Sequence, residues 1–182
     1  MKIAVYFAEG YEELEALSVV DVLRRGEVEV IMVGVTGTQV KSARNISIQM
    51  DCVIDELNHD AIDMIVLPGG VPGIYNLEKN ELVLENIKSF KSQGKWLAAI
   101  CAAPSILGKC ELLIGEKATC YPGNEKYLKQ CEYINEGTVV SHKIITSKGV
   151  GTALEFAFTI LKVLKGKGVA DTVKEAMLVR TI

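Results

Sequence analysis

The run Lys2-Ile3-Ala4-Val5-Tyr6-Phe7, the turn Ala8-Glu9-Gly10, a helical pattern from Tyr11 to Arg25, a stop at Gly26 and the run from Val28 to Val33 decide the fold class. A two-residue hairpin joins antiparallel strands, whereas parallel strands need a crossover of a dozen or more residues, and the segment between Phe7 and Val28 supplies one. Leu14, Leu17, Val20 and Leu23 mark the expected buried side of the crossover helix at helical spacing.

The same alternation resumes downstream. Met64 to Leu67 runs into Pro68-Gly69-Gly70, a helix is expected from about Glu81 to Ser92 with Gly94 as its stop, and Trp96 to Ile100 reads as a buried strand. Cys101-Ala102-Ala103-Pro104 then opens a helix that Gly108 ends, with Pro104 in the first turn where its missing N–H costs little. Val139 to Thr146 reads as one or two strands, and Gly149-Val150-Gly151 leads into an amphipathic helix from Thr152 to Leu164, followed by a last helix over Val169 to Val179. Between Thr36 and Asp51 the alternation of Ile46, Ile48 and Met50 suits a hairpin or an edge excursion. The expected architecture is α/β: a three-layer, doubly wound, mostly parallel sheet with helices on both faces, in one domain over residues 1–182.

Bulk properties narrow the function. The formal net charge of -3 and the lack of any long Lys/Arg run argue against a nucleic-acid partner. Leu97 to Leu107 is too short to cross a bilayer and no export signal is visible, so a soluble, cytoplasmic chain is expected. Five cysteines without a Cys-x-x-Cys pair, and only two histidines, fit neither a disulfide framework nor a zinc cage, so no metal and no cofactor is expected.

In an open parallel sheet, ligands bind beyond the carboxyl ends of the strands. Cys101 stands there, on a strand-to-helix corner that lifts its side chain toward the cleft, where helix amides favour the thiolate. The competing reading is a small buried hydrophobe in an alanine-rich core. The amides of Ala102 and Gly70 are candidates for an oxyanion hole. Glu15 shares its helix face with Val19 and Val22, so its carboxyl is expected to point inward and stay protonated. Glu12 and Glu13 read as decoration of a helix N-terminus, and His59 as a solvated loop residue. His142 reads as structural, which leaves no clear general base for a protease-like mechanism.

Four ordered motifs, Glu12-Glu13-Leu14-Glu15 with Asp21, Leu67-Pro68-Gly69-Gly70 with Gly73 and Asn76-Leu77, Ala98-Ala99-Ile100-Cys101-Ala102-Ala103-Pro104, and Thr146 to Thr152 with Glu155-Phe156-Ala157, resemble the ThiJ/PfpI superfamily, within it the clade of the human Parkinson-disease-associated protein deglycase. The resemblance implies a flavodoxin-like fold of the class I glutamine amidotransferase-like type and a homodimer. It also implies Cys101 as nucleophile, Glu15 as its protonated partner, and the Gly70 and Ala102 amides at the site. Gly69 and Arg44 would line the pocket, with Arg25 approaching from the neighbouring protomer. Two departures bear on activity: Tyr121 stands where the family often places a histidine, and Ala102 stands where the protease-like branch has one. Peptidase activity is therefore disfavoured. The implied function is cysteine-dependent handling of reactive dicarbonyls, as a glutathione-independent glyoxalase (a glyoxalase III-like lyase) or a deglycase-type hydrolase acting on a small reactive aldehyde or its adduct. The alternative is a redox-sensing or chaperone-like stress protein using the same cysteine without turnover. A thiazole monophosphate biosynthesis role lacks a phosphate-cradling motif.

Overall fold

The computed structural model describes residues 1–180. In chain order the regular elements are β1 (Lys2–Phe7), α1 (Glu13–Arg25), β2 (Glu29–Gly34), β3 (Gln39–Lys41), β4 (Ser47–Gln49), β5 (Cys52–Val53), β6 (Met64–Leu67), α2 (Gly73–Lys79), α3 (Glu81–Ser92), β7 (Trp96–Ile100), α4 (Pro104–Lys109), β8 (Lys117–Ala118), β9 (Glu132–Tyr133), β10 (Thr138–Ser141), β11 (Ile144–Ser147), α5 (Ala153–Lys165) and α6 (Lys167–Ala176). Seven strands form one sheet in the order β10-β11-β7-β6-β1-β2-β5, parallel throughout except for the β10–β11 hairpin. The chain leaves β1 toward β2 on one side and returns to β6 on the other. The strand order therefore reverses between β1 and β6, which is where such sheets open a crevice at their carboxyl ends.

Side-chain alternation along β1 builds a core on each face. Ile3, Val5 and Phe7 pack with Val19, Val22 and Leu23 of α1 and with Phe156, Ile160 and Leu161 of α5. Ala4 and Tyr6 pack with Val83, Ile87 and Phe90 of α3 and with Ile106 and Leu107 of α4. Strands buried on both faces explain the continuous apolar runs that the sequence shows. The expected hairpin between Thr36 and Asp51 is present as β3 and β4.

Helix α1 buries Val20 and Leu23 as expected and departs from the expected buried side in its first half. It starts at Glu13 rather than Tyr11, and Leu14 is 57% exposed while Leu17 is half-buried. A stripe stepping strictly by three residues drifts around a helix of 3.6 residues per turn. The face with Glu15, Val19, Val22 and Leu23, spaced i, i+4, i+7 and i+8, goes inward instead. Glu13 is also buried, at 8% exposure, and is not the solvated decoration expected. His59 is likewise no free loop residue: its Nε2 lies 2.9 Å from Tyr6 Oη and 2.8 Å from Asn86 Nδ2. His142 does act structurally, with Nδ1 2.7 Å from Glu116 Oε2. No helix among the described residues is long and apolar enough to cross a membrane.

Candidate active site

Four neighbouring strands, β1, β6, β7 and β11, deliver their carboxyl ends to one place, and each is followed by a segment of the cleft. Cys101 follows β7 directly, ahead of α4, with φ 65°. That left-handed conformation costs a non-glycine residue on the order of 1–3 kcal/mol and persists only where the surroundings fix it. Here Cys101 N–H donates to Ser147 O at 2.9 Å, Tyr121 N–H donates to Cys101 O at 2.8 Å and Ala103 N–H donates to Ile100 O at 3.1 Å. The corner is pinned on three sides, and the thiol is turned off the sheet.

Glu15 is fully buried and meets the sulfur across Gly69. The Gly69 amide donates to Glu15 Oε2 at 2.8 Å, and Oε1 has no partner among the described residues. A Cβ built at Gly69 would fall 2.6 Å from Cys101 Cβ, 2.7 Å from Glu15 Oε2 and 3.1 Å from Cys101 Sγ, so only glycine fits between the two groups. Gly70, at φ 98°, is equally confined: its Cβ would fall 2.3 Å from Glu12 N and 2.6 Å from Gly10 O. Glu12 N–H donating to Gly69 O at 2.9 Å and Gly73 N–H donating to Gly10 O at 3.1 Å lock the β1 and β6 turns together.

The electrostatics follow from burial. Loss of solvent raises the Glu15 carboxyl from its ordinary 4.5 to about 7, against the opposing pull of the Gly69 amide and the Cys101 thiol. Burial, and then the Glu15 charge and its contact with the sulfur, push the Cys101 thiol up to about 12, while the Ala102 and Gly70 amides pull it down. The expectation that helix amides alone make Cys101 a resting thiolate is therefore corrected. The α4 helix begins only at Pro104, and burial of the sulfur, together with the Glu15 charge beside it, outweighs the amides. Two acids in such contact titrate as a pair, and a proton on Glu15 removes the charge that opposes the thiolate.

A cavity of about 400 Å³ opens over this pair, and its walls include Glu12, Glu15, Arg44, Gly70, Cys101 and Tyr121. Arg44 NH2 lies 4.0 Å from Glu12 Oε2 at its edge. A second cleft of about 320 Å³ shares Cys101, Tyr121 and Val150 and continues along Pro122 and Lys148 to Thr152. Of the residues singled out from sequence, Cys101, Glu15, Gly69, Gly70, Ala102, Arg44 and Tyr121 thus come together. Arg25, expected from a neighbouring protomer, lies away from the cleft of its own chain: its Nε donates to Asp21 Oδ2 at 2.9 Å, and its side chain lines a different cavity beside α6. It sits at the exposed C-terminal end of α1, the far end of that helix from Glu15. The segment Lys148-Gly149-Val150 and Glu12 are site residues that sequence reasoning did not assign, although the position of the former, right after β11, follows the same strand-end rule as Cys101.

Residues 1–163 match the DJ-1/PfpI family. The chain belongs to that family. Among its relatives, protein dj-1beta of Drosophila melanogaster is 38% identical over 178 residues, covering 96% of this chain and 95% of that protein. The glutathione-independent glyoxalase DJR-1.2 of Caenorhabditis elegans is 34% identical over 160 residues, 87% of this chain and 85% of that one. The solved structure of oxidized Toxoplasma gondii DJ-1 superposes with a TM-score of 0.93 at 35% identity over 97% of both chains. The fold is the flavodoxin-like α/β fold of DJ-1 proteins.

Proposed function

We propose that this DJ-1/PfpI protein converts small 2-oxoaldehydes such as methylglyoxal to 2-hydroxy acids without glutathione, using Cys101 as nucleophile and Glu15 as proton carrier. The observation that carries the reading is the pair itself: a thiol on a pinned left-handed corner, against a fully buried carboxyl whose pKa of about 7 lets it both hold and release a proton near neutrality. Sγ bonds to the aldehyde carbon and the carbonyl oxygen takes up the thiol proton, giving a hemithioacetal. The Glu15 carboxylate removes the remaining hydrogen of that carbon as a proton and returns it to the adjacent carbon, while the hydroxyl proton of the hemithioacetal passes to the ketone oxygen, so the ketone becomes a secondary alcohol and the sulfur-bound carbon a thioester. Water then breaks the C–S bond, releasing the 2-hydroxy acid and restoring the thiol. The Gly70 and Ala102 amides, aimed at the sulfur, are placed to stabilise the oxygen that becomes negative beside it. Tyr121, where the family often has a histidine, supplies a phenol hydroxyl as hydrogen-bond donor. Deglycation of early adducts of the same aldehydes would use the same thiol chemistry.

The test is lactate formation from methylglyoxal with no thiol added. Cys101→Ser and Glu15→Gln are each expected to lose at least about two orders of magnitude; equal rates in the parent and Cys101→Ser overturn the reading. A second reading, oxidation sensing, has its own support, since the Glu15 acid next to the sulfur is placed to donate to a sulfinate oxygen. Mild peroxide followed by peptide mass spectrometry is then expected to find Cys101 oxidised before Cys52, Cys110, Cys120 or Cys131. Pairing of two copies fits the exposed Leu14 and Ile46, at 57% and 48%, and size-exclusion chromatography at the dimer volume is the expected result.

A further inference from the structure

The wall of the thiol cleft after β11 carries a vacancy at Gly149. This segment is tied to the strand end that also holds Cys101. Thr152 N–H donates to Gly149 O at 2.8 Å, and Thr152 Oγ1 accepts from Gly149 N–H at 3.2 Å and lies 2.7 Å from Ser147 Oγ. Ser147 O in turn accepts the Cys101 amide. Gly149 and the sulfur are therefore fixed with respect to each other by short, local connections.

A Cβ built at Gly149 would stand 3.4 Å from Tyr121 Cδ2, 3.8 Å from Cys101 Sγ and 3.9 Å from Glu15 Oε1. These are ordinary van der Waals separations, so the position is a methyl-sized space bounded by phenol, thiol and carboxyl, not a clash. A carbon bonded to Sγ carries its own substituents closer to the sulfur than these distances. The side toward Gly149 offers one of them room without a clash against Tyr121 or Glu15.

We propose that Gly149 is a specificity-determining residue: the space left by its missing side chain holds the second non-hydrogen substituent on the carbon that bonds to Cys101. The inference rests on the covalent-thiol reading above and narrows its substrate class. A hemithioacetal of a 2-oxoaldehyde carries both a hydroxyl and an acyl group on that carbon. A side chain at position 149 would reserve the site for electrophiles with a single substituent.

Two alkylating agents with the same leaving group separate these cases, because 2-bromoacetamide offers an unbranched carbon and 2-bromopropanamide the same carbon with a methyl added. Rates of modification at Cys101, located by peptide mapping and normalised to N-acetylcysteine, are measured for the full chain, Gly149→Ala, Tyr121→Ala and Gly168→Ala. In Gly149→Ala the preference for the unbranched reagent is expected to rise by about tenfold, the discrimination that one methyl group makes against an apolar wall. Its φ of 159° adds backbone strain to that variant, so Tyr121→Ala supplies the opposite perturbation. Removing the ring that bounds the same space shifts the preference toward the branched reagent, and this result stands even where Gly149→Ala fails to fold. Gly168→Ala, in α6 with nothing within 4 Å of the added carbon, leaves the preference as in the parent. An unchanged preference in folded Gly149→Ala or in Tyr121→Ala overturns the inference alone. A Cys101 that neither reagent modifies in the parent overturns the thiol reading as well.

Discussion

Gly69→Ala is the most direct probe of the reactive pair, because the substitution keeps the amide that donates to Glu15 and adds only volume. The new carbon would begin 2.6 Å from Cys101 Cβ and 2.7 Å from Glu15 Oε2. Carbon atoms settle at about 3.5–4.0 Å, so one partner has to retreat by about 1 Å. Cys101 is held by two backbone hydrogen bonds of its own and a third between its neighbours Ala103 and Ile100, and Glu15 has no solvent to move into. Overpacking of this kind costs about 1–3 kcal/mol. At this chain length each kcal/mol lowers the midpoint of thermal unfolding by about 2–4 °C, so Tm is expected to fall by about 2–12 °C. Chemistry suffers more, since a displacement of about 1 Å in a reacting group costs on the order of 100-fold in rate. Calorimetry gives the first number, and lactate formation from methylglyoxal in folded protein gives the second. A Gly69→Ala protein with the parent's Tm and the parent's rate refutes the claim that thiol and carboxyl are packed against opposite sides of this glycine.

Two pH-dependent effects follow from buried carboxyls. The Glu15 carboxyl rises from 4.5 to about 7 on folding, so its contribution is fully present below 4.5 and is lost as pH climbs through 7. Replacing it by Gln is expected to stabilise the fold relative to the parent at pH 8 by up to about 3 kcal/mol, with the advantage disappearing toward pH 4.5. Urea melts across that range check it, and a difference independent of pH argues against a desolvated Glu15. Glu116 is the reverse case: burial opposes its charge, but hydrogen bonds from Lys91 Nζ at 2.6 Å and Ser141 Oγ at 2.6 Å, and contact with His142, hold its carboxyl down at about 2. Its stabilisation is present above 4.5 and lost as pH falls through 2. With solvent screening through the exposed His142, Glu116→Gln is expected to cost about 1–2 kcal/mol at pH 7 and little at pH 2, again read from denaturant melts.

The central strands β1, β6 and β7 were legible because they are sealed on both faces, so each became an uninterrupted apolar run, whereas the two-residue edge strand β5 carries no such run. Cys101 and Gly69-Gly70 were legible for a related reason, since the carboxyl end of a buried strand is a fixed address in this architecture. The orientation of α1 shows what local spacing leaves open. Two faces of the same helix were apolar enough to go inward, one through Leu14 and Leu17 and the other through Val19 and Val22, and only packing against α5 distinguishes them. The short α2 was not readable for a different reason: it has no side-chain cap, its first amide, Gly73 N–H, is satisfied by Gly10 O from a turn distant in sequence, and only Ile74 and Leu77 give it an apolar side.

Glu15 unites these observations. A glutamate on the apolar face of a crossover helix is unfavourable for helix burial taken alone, and its desolvation is what carries the carboxyl to about 7. The same inward turn that exposes Leu14 delivers that carboxyl to the carboxyl end of β6, where Gly69 has no side chain to keep it from the sulfur. Exposure of Leu14 and burial of Glu15 are thus one rotation of one helix. A substitution that turned α1 back toward its Leu14 face would be expected to abolish thiol chemistry without touching Cys101.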